Sequence, residues 1–298
     1  MGVKATKRLK SMIDNGEMAV AIGAHDGLSA RLVEQAGFNS IYIGSYATEG
    51  ASLGKPDLAL MSKTERLVIA RNIVKAVSVP VIADMEEGYG NAISVMDAVR
   101  DFEATGLAGV HIDDEALPSK CPFLPGIPRN QLITVDEMCG KVKAALDARE
   151  DPNFKIIVRS DVIGTVPLEE YHRERLIEEV VERSNAYAKA GADAIFVMAL
   201  NVEELNYLQQ QIAAPLVGIF ATIEPIAIKH FEEAGYQMVI GSLVSLYMAA
   251  RGLMDGLKAL KETGDWNLVQ DKMVNDEEFF NIVGIEDYRE LYDRYRIR

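Results

Sequence analysis

The chain of 298 residues has only two cysteines, Cys121 and Cys139, and no apolar run near the ~20 residues that cross a bilayer. Two cysteines cannot build a disulfide framework in a chain of this size, so free thiols and a reducing cytoplasm are expected. The N-terminal segment turns polar after its basic residues and shows no apolar stretch typical of an export signal, so no export is expected. The sequence therefore predicts a soluble, cytoplasmic protein without a membrane partner.

Positive charge is also scarce, since 31 Lys and Arg stand against 45 Asp and Glu, for a formal net charge of −14. Nucleic acids are bound through basic surfaces, so no nucleic-acid partner is expected. The negative electrostatic potential of such a protein also repels an anionic substrate. A site for such a substrate must supply local positive charge through a metal, an arginine or helix N-termini.

No linker or low-complexity tract divides the chain, which favours a single domain over residues 1–298. In four places an amphipathic segment ends in a small residue and a glycine, and a β-branched run follows; the glycines are Gly37, Gly106, Gly191 and Gly235. Glycine after a helix readily takes the left-handed conformation, so each copy predicts a helix, its C-cap and the next strand.

Further apolar runs bring the predicted strands to eight; these lie at residues 18–23, 79–84, 154–160 and 214–220. Eight short buried strands that alternate with helices predict a (β/α)8 TIM-type barrel over about residues 15–255. A doubly wound open sheet is the alternative. The aromatic and charged segment at about residues 256–298 predicts a C-terminal helical extension, packed on a neighbouring subunit or capping its own barrel.

Acidic residues follow several of the predicted strands, where the βα-loops of a barrel form the active site. They are Asp57, Asp84, Glu86, Glu87, Asp113, Asp114 and Glu115. Such a cluster repels itself unless a divalent cation binds or the pKa values of the carboxyls rise. Oxygen ligands without a Cys/His pair favour Mg²⁺, or else Mn²⁺, over zinc.

The runs DMEEGYGNAISVMDAV and GVHIDDEALPSKCPFLPG resemble the phosphoenolpyruvate mutase/isocitrate lyase superfamily, as do SARLVEQAGF, LGKPD, IIVRSD and AGADAIF around them. The resemblance covers about residues 15–250 in the same order. It implies a Mg²⁺-dependent barrel that makes or breaks C–C or P–C bonds beside a carboxylate, through an enolate. It also implies a homodimer or homotetramer that swaps a C-terminal helix.

By position, the resemblance implies that Asp84, Glu86 and Asp113 hold the metal and that Asp57 contacts it through a water. The family's Asp-x-Asp has become Asp84-x-Glu86, and its Glu-Asp has become Asp113-Asp114. If Glu86 and Asp113 flank the same ion, the Glu86 side chain is one methylene longer and the Asp113 side chain one methylene shorter than in the family, and the metal would be shifted sideways. Arg159 matches the arginine that neutralises the substrate carboxylate and the enolate oxygen. A structural salt bridge is the alternative for Arg159.

The loop from Glu115 to Asn130 closes over the mouth of the barrel in relatives. Here Cys121 keeps the thiol that serves lyases as general acid/base, although the flanking Gly and His are absent. Lys120 is expected to assist by lowering the pKa of this thiol. The alternative for Cys121 is a small apolar loop residue.

Substrate contacts are expected from Tyr42, Gly44, Ser45, Tyr46, Asp57, Arg159 and Met198. Tyr46 and Met198 depart from the family, since a bulky ring replaces open backbone and a thioether replaces a glutamate or histidine. The pocket should therefore be more apolar, which favours a hydrophobic substrate tail or a changed reaction. His111 is expected to lie behind the metal ligands.

The favoured interpretation is a Mg²⁺-dependent lyase that cleaves a C–C bond of a small 2-hydroxy or 2-oxo (di)carboxylate. Mutase or hydrolase chemistry at a P–C bond is the first alternative. The second is a non-catalytic barrel that retains the metal.

Overall fold

A closed barrel of eight parallel strands forms the centre of the computed structural model, which describes residues 4–220 and 226–296. Each strand pairs with the next, and β1 pairs with β8 to close the ring. The strands are β1 (Ala19–Gly23), β2 (Ser40–Ile43), β3 (Val81–Asp84), β4 (Gly109–Asp113), β5 (Lys155–Arg159), β6 (Ala194–Phe196), β7 (Leu216–Ile219) and β8 (Met238–Gly241). The predicted barrel is confirmed, and the open sheet is wrong.

Helices follow the strands around the barrel. Those up to β8 are α1 (Ala5–Asp14), α2 (Gly27–Gln35), α3 (Ser45–Leu53), α4 (Lys63–Ala76), α5 (Ala92–Glu103), α6 (Val135–Ala148), α7 (Leu168–Arg173), α8 (Ile177–Ala190), α9 (Val202–Gln211) and α10 (Ile228–Ala234). Beyond β8 lie α11 (Val244–Thr263), α12 (Asp276–Ile282) and α13 (Ile285–Tyr295). The four predicted C-cap glycines have φ between +85° and +110°, as the left-handed cap requires.

The core has two layers because successive side chains of a strand point to opposite sides of the sheet. Val110 and Ile112 of β4 face the helices, in the larger apolar cluster. Tyr42, Ile82 and other alternate residues fill the inside of the barrel. His111 lies between Val110 and Ile112 and therefore points inward, where its ring stacks on Tyr42 with centroids 5.7 Å apart.

The C-terminal extension is less covered than the barrel. Within the described chain, no side chain of α11, α12 or α13 is buried. Large apolar residues stand in solvent there, among them Met248, Leu253, Leu257, Phe280 and Tyr292. None of the described helices is both long and apolar enough to cross a bilayer.

The close approach of β1 to the end of β8 predicts a sensitivity to side-chain size at Gly23. A Cβ built on Gly23 would lie 1.9 Å from the carbonyl oxygen of Ser242, so backbone would have to move. We expect Gly23→Ala to lower the free energy of unfolding by about 1–3 kcal/mol or more. Gly140→Ala on α6 is the control, because nothing lies within 4 Å of its Cβ. It should be neutral or stabilising by about 0.5–1 kcal/mol. Equal urea midpoints for the two variants would contradict the prediction.

Candidate active site

A cavity of about 540 Å³ opens at the carboxyl ends of the strands. All strands of a parallel barrel end on the same side, so loops that are distant in sequence meet there. All of the residues predicted to contact substrate line this cavity: Tyr42, Gly44, Ser45, Tyr46, Asp57, Arg159 and Met198. Asp84 and Cys121 line it as well. Glu86, Asp113 and Lys120 are not among its lining residues.

One group of potential metal ligands lies at the ends of β3 and β4. Asp84, His111 and Asp113 each offer an atom within 4.8 Å of the others. His111 Nδ1 lies 2.8 Å from Asp113 Oδ1, and its Nε2 lies 2.9 Å from the Tyr42 hydroxyl. Burial lowers the pKa of His111 to about 4, so the ring is neutral at physiological pH. A neutral ring that donates to Asp113 from Nδ1 accepts the Tyr42 proton at Nε2.

A second acidic group, Glu49, Asp57 and Glu86, lies beside the first. The guanidinium of Arg66 on α4 pairs with both glutamates: its Nη2 lies 2.9 Å from Glu49 Oε1 and also contacts Glu86 Oε1. Glu49 accepts the backbone N–H groups of Leu58, Leu60 and Met61 as well. It thereby holds the loop in which Asp57 stands.

Glu49 and Arg66 were missed by the sequence analysis, which considered only residues that follow strands. One signal was present in α4. Arg66, Ala70 and Ile73 are its buried residues, spaced by four and then three positions. An arginine within the buried stripe of a helix requires an acidic partner inside the protein.

The expectation that Glu86 and Asp113 flank the same ion is not supported by the geometry. Glu86 belongs to the second acidic group and faces Arg66, whereas Asp113 belongs to the first group and bonds to His111. Glu86 has φ +52° and Tyr89 has φ +59°, values that non-glycine residues rarely adopt. This left-handed turn reverses the chain directly after β3 and places the Glu86 carboxylate on the Arg66 side.

The strained turn is held by contacts from three neighbouring segments. Ser119 Oγ donates to Glu86 Oε2 over 3.1 Å and lies 2.7 Å from Glu87 Oε2. The buried Lys141 Nζ donates to the carbonyl of Glu87 over 2.8 Å, and Asp113 N donates to the carbonyl of Glu86 over 2.8 Å. Left-handed non-glycine residues cost about 1–3 kcal/mol each and persist where surrounding contacts fix them, commonly at functional sites.

The carboxylates of the site fit a hard divalent cation. Burial, followed by the charge of Asp84, raises the pKa of Asp57 to about 7. Burial also raises the pKa values of Glu86 and Asp113 well above their usual range. Asp57 Oδ1 is buried and accepts no hydrogen bond from any described residue. A bound divalent cation would relieve this repulsion and keep the carboxyls ionised.

Arg159 at the end of β5 is both paired and open to the cavity. Its Nη2 donates to Asp161 Oδ1 over 2.7 Å, and its Nη1 lies 3.8 Å from Asp113 Oδ2. The guanidinium carbon stands 5.1 Å from the centroid of the Phe196 ring, and the side chain stays 16% exposed. The salt bridge weighed from sequence is therefore present, and the guanidinium still reaches the cavity.

Asp114 turns away from the cavity. Its Oδ1 accepts the backbone N–H of Asp161 over 2.8 Å, and its Oδ2 accepts the Tyr187 hydroxyl over 2.8 Å. Asp114 therefore ties the ends of β4 and β5 together. It positions the segment that carries Arg159 and Asp161.

The thiol of Cys121 reaches the cavity from the long loop after β4. Its backbone N–H donates to the carbonyl of Asp57 over 3.2 Å, which joins the two loops. The expected lowering of the thiol pKa by Lys120 is wrong, because burial raises the pKa of Cys121. Lys120 acts through its backbone: its N–H donates to Glu115 Oε2 and its carbonyl accepts from Asn130 Nδ2. Cys121 is consequently a protonated thiol at neutral pH.

The chain matches the model of the family "Phosphoenolpyruvate phosphomutase" over residues 9–261. It is 34% identical over 292 residues to 2,3-dimethylmalate lyase of Eubacterium barkeri, with 97% of each chain covered. It superposes on phosphoenolpyruvate phosphomutase from Streptomyces platensis subsp. rosaceus with a TM-score of 0.88 and 31% identity, over 98% and 99% of the two chains. A phosphonopyruvate hydrolase solved with oxalate and Mg²⁺ gives a TM-score of 0.85 and 27% identity, with 98% and 99% covered. Lyase, mutase and hydrolase names thus all occur among these similar proteins.

The buried pairing of Arg66 predicts a large loss of stability on its removal. Arg66→Met would leave Glu49 and Glu86 buried without their cation, which should cost about 3–5 kcal/mol of unfolding free energy. Lys63→Met on the same helix is the control, because its partners Asp97 and Asp101 are exposed. Its loss should stay below about 1 kcal/mol. Urea unfolding of both variants measures the difference, and an Arg66 loss no larger than that of Lys63 would refute the prediction.

Proposed function

The chain is an enzyme of the phosphoenolpyruvate phosphomutase family, and on this premise we propose that it is a Mg²⁺-dependent lyase. It cleaves a C–C bond of a small 2-hydroxy or 2-oxo (di)carboxylate through an enolate. The observation that carries the proposal is the position of the Cys121 thiol, whose pKa is raised by burial, in the same cavity as Arg159 and the carboxylates of Asp57 and Asp84. Cleavage that leaves a carbanion-like carbon needs an acid of this kind.

The metal would be held by Asp84 and Asp113 of the first acidic group, with Asp57 and Glu86 of the second group contacting it through waters. The repulsion among these buried carboxyls supports the assignment, as does the Mg²⁺ in the similar phosphonopyruvate hydrolase. Mn²⁺ would suit the same oxygen ligands. When bound, the cation supplies positive charge beside the carboxylate and adjacent oxygen of the substrate.

The residues of the chain divide the remaining work. Arg159 neutralises the substrate carboxylate and the charge that develops on the enolate oxygen. As the C–C bond breaks, its electron pair passes into the enolate, and the enolate carbon then takes the proton of Cys121 Sγ. With a 2-hydroxy acid the substrate hydroxyl releases one proton and the thiolate regains one, so the cleavage needs no further reactant. With a 2-oxo acid, water must first add to the ketone and supply that hydroxyl, and the oxygen stays in the carboxylate product. His111 and Tyr42 keep Asp113 oriented through their hydrogen-bond chain.

A second copy of the chain is the proposed partner of the C-terminal extension. The exposed apolar side chains of α11, α12 and α13 would be covered if these helices packed on a neighbouring subunit. A homodimer or homotetramer with exchanged C-terminal helices is the arrangement we propose. The two free thiols fit a cytoplasmic location.

Replacement of Cys121 tests the proposed acid. Cys121→Ser removes the acidic thiol but keeps a small polar side chain, so kcat for 2,3-dimethylmalate cleavage should fall by about 10²–10⁴-fold. Cys139→Ser on α6 should keep its activity, because Cys139 lies outside the cavity. Pyruvate release measures both. Conversion of phosphonopyruvate to phosphoenolpyruvate at an equal rate in wild type and Cys121→Ser, followed by ³¹P NMR, would favour the mutase instead.

Removal of the metal tests the cation. After chelation and dialysis the enzyme should lose its turnover, and Mg²⁺ or Mn²⁺ should restore it. Asp84→Asn should weaken Mg²⁺ binding in isothermal titration, whereas Asp97→Asn on the exposed face of α5 should not. Full turnover in the metal-free protein would count against the proposal.

A further inference from the structure

The wall of the cavity opposite the carboxylates is apolar. It is formed by the loop after β4 and by the ends of β6, β7 and β8, and its apolar members are Phe123, Leu124, Met198, Ile219, Phe220 and Leu243. Ser242 and Tyr247 contribute hydroxyl groups at its edge but no charge. A volume of about 540 Å³ falls in the range of about 300–1,000 Å³ typical of pockets that hold drug-sized ligands. A four-carbon acid beside the metal would leave most of this wall uncovered.

Charge on this wall is absent among its described residues. Of the described residues that line the cavity, Arg159 alone is positive, and Asp161 already pairs with it. A further carboxylate placed against the apolar wall would lose its hydration and gain no cation. The net charge of −14 adds to that cost. The described part of the wall therefore offers no countercharge to a third carboxylate and favours contact with hydrocarbon.

The apolar wall is built into the barrel. Phe220 lies over the end of β8, where a Cβ on Gly241 would approach its Cζ to 2.1 Å. The Phe220 ring can occupy this position because Gly241 has no side chain. Ile219 is packed with the apolar residues inside the barrel, so it faces the cavity from its floor. These side chains are fixed by backbone that the strands define.

We propose that the substrate carries an alkyl or aryl substituent of several carbons, seated against Met198, Ile219 and Phe220. The inference rests on the proposed function and narrows its substrate class to 2-alkylmalates with extended side chains. The hydroxy acid end lies by the metal ligands and Arg159. The tail covers the apolar wall and expels water from it.

A series of 2-alkylmalates tests the proposal. The side chain is lengthened from methyl through ethyl and propyl to butyl, and kcat/KM is measured with Mg²⁺ by release of the 2-oxo acid. We expect about a fourfold rise per methylene, which corresponds to about 0.8 kcal/mol for each buried CH₂. A flat or falling series would overturn the inference, as would faster turnover of 2-methylisocitrate than of 2-butylmalate. Either result would leave the lyase activity itself intact.

A matched pair of variants locates the tail. Ile219→Thr keeps a branched Cβ but replaces the ethyl group with a hydroxyl, which makes the wall both smaller and polar, so the rise per methylene should drop below about twofold. Ile93→Thr on α5, at a position that is 72% exposed, should keep the wild-type rise. An unchanged rise in Ile219→Thr would place the tail elsewhere and overturn the assignment of the wall.

Binding separates this inference from the proposed reaction. The Kd values of pyruvate, 2-oxobutanoate, 2-oxopentanoate and 2-oxohexanoate are measured with Mg²⁺ by isothermal titration. If no malate turns over but Kd still falls about fourfold per methylene, the reaction is wrong and the apolar subsite stands. If malates turn over and Kd does not change with length, the subsite is wrong and the reaction stands. If neither turnover nor length dependence is found, both are wrong.

Discussion

The positive charge of Arg66 between two buried glutamates is the interaction on which the acidic side of the cavity depends. Its guanidinium pairs with Glu49 and Glu86, which lie in segments that follow different strands. Glu49 in turn holds the loop around Asp57, and Glu86 occupies the left-handed turn after β3. One arginine thus fixes the position of two acidic loops. It also offsets part of the charge that would otherwise drive these loops apart.

Low solvent access decides the protonation state of the remaining groups. Burial lowers the pKa of His111 and raises that of Cys121, so both are neutral at physiological pH. A neutral imidazole can link Tyr42 to Asp113 without adding charge to the site. A neutral thiol can give up a proton when negative charge develops beside it. The same exclusion of water strengthens the action of Arg159 on an anion.

The barrel was predictable from the sequence because its signals are local. Glycines such as Gly191 mark helix ends, and buried parallel strands give short continuous apolar runs. The same strand pattern also predicted which acidic residues lie at the carboxyl ends of the strands. Arg66 and Glu49 did not, because their pairing joins α3 to α4 and depends on which helix faces meet. The separation of Glu86 from Asp113 depends on a left-handed φ that no residue type at this position announces.

The loop that carries Cys121 shows a further reason why sequence falls short. Adjacent residues in a loop do not share a direction, so Lys120 beside Cys121 in sequence gave no information about the electrostatics of the thiol. The pKa of the thiol is set first by burial and by the backbone N–H of Phe123, and then by Asp57 and Arg159, which come from other parts of the barrel. Which residues surround the Cys121 loop is decided by how the strands are arranged in the closed barrel.

Because the ring of Phe220 lies over Gly241, the shape of the cavity depends partly on a residue that is not among its lining residues. Position 241 lies behind the ring, at the seam where β8 meets β1. A methyl group there would displace the aromatic ring and change the shape of the cavity, although the identity of every lining residue would stay the same. The shape of this cavity is therefore controlled in part by a residue that does not line its described wall.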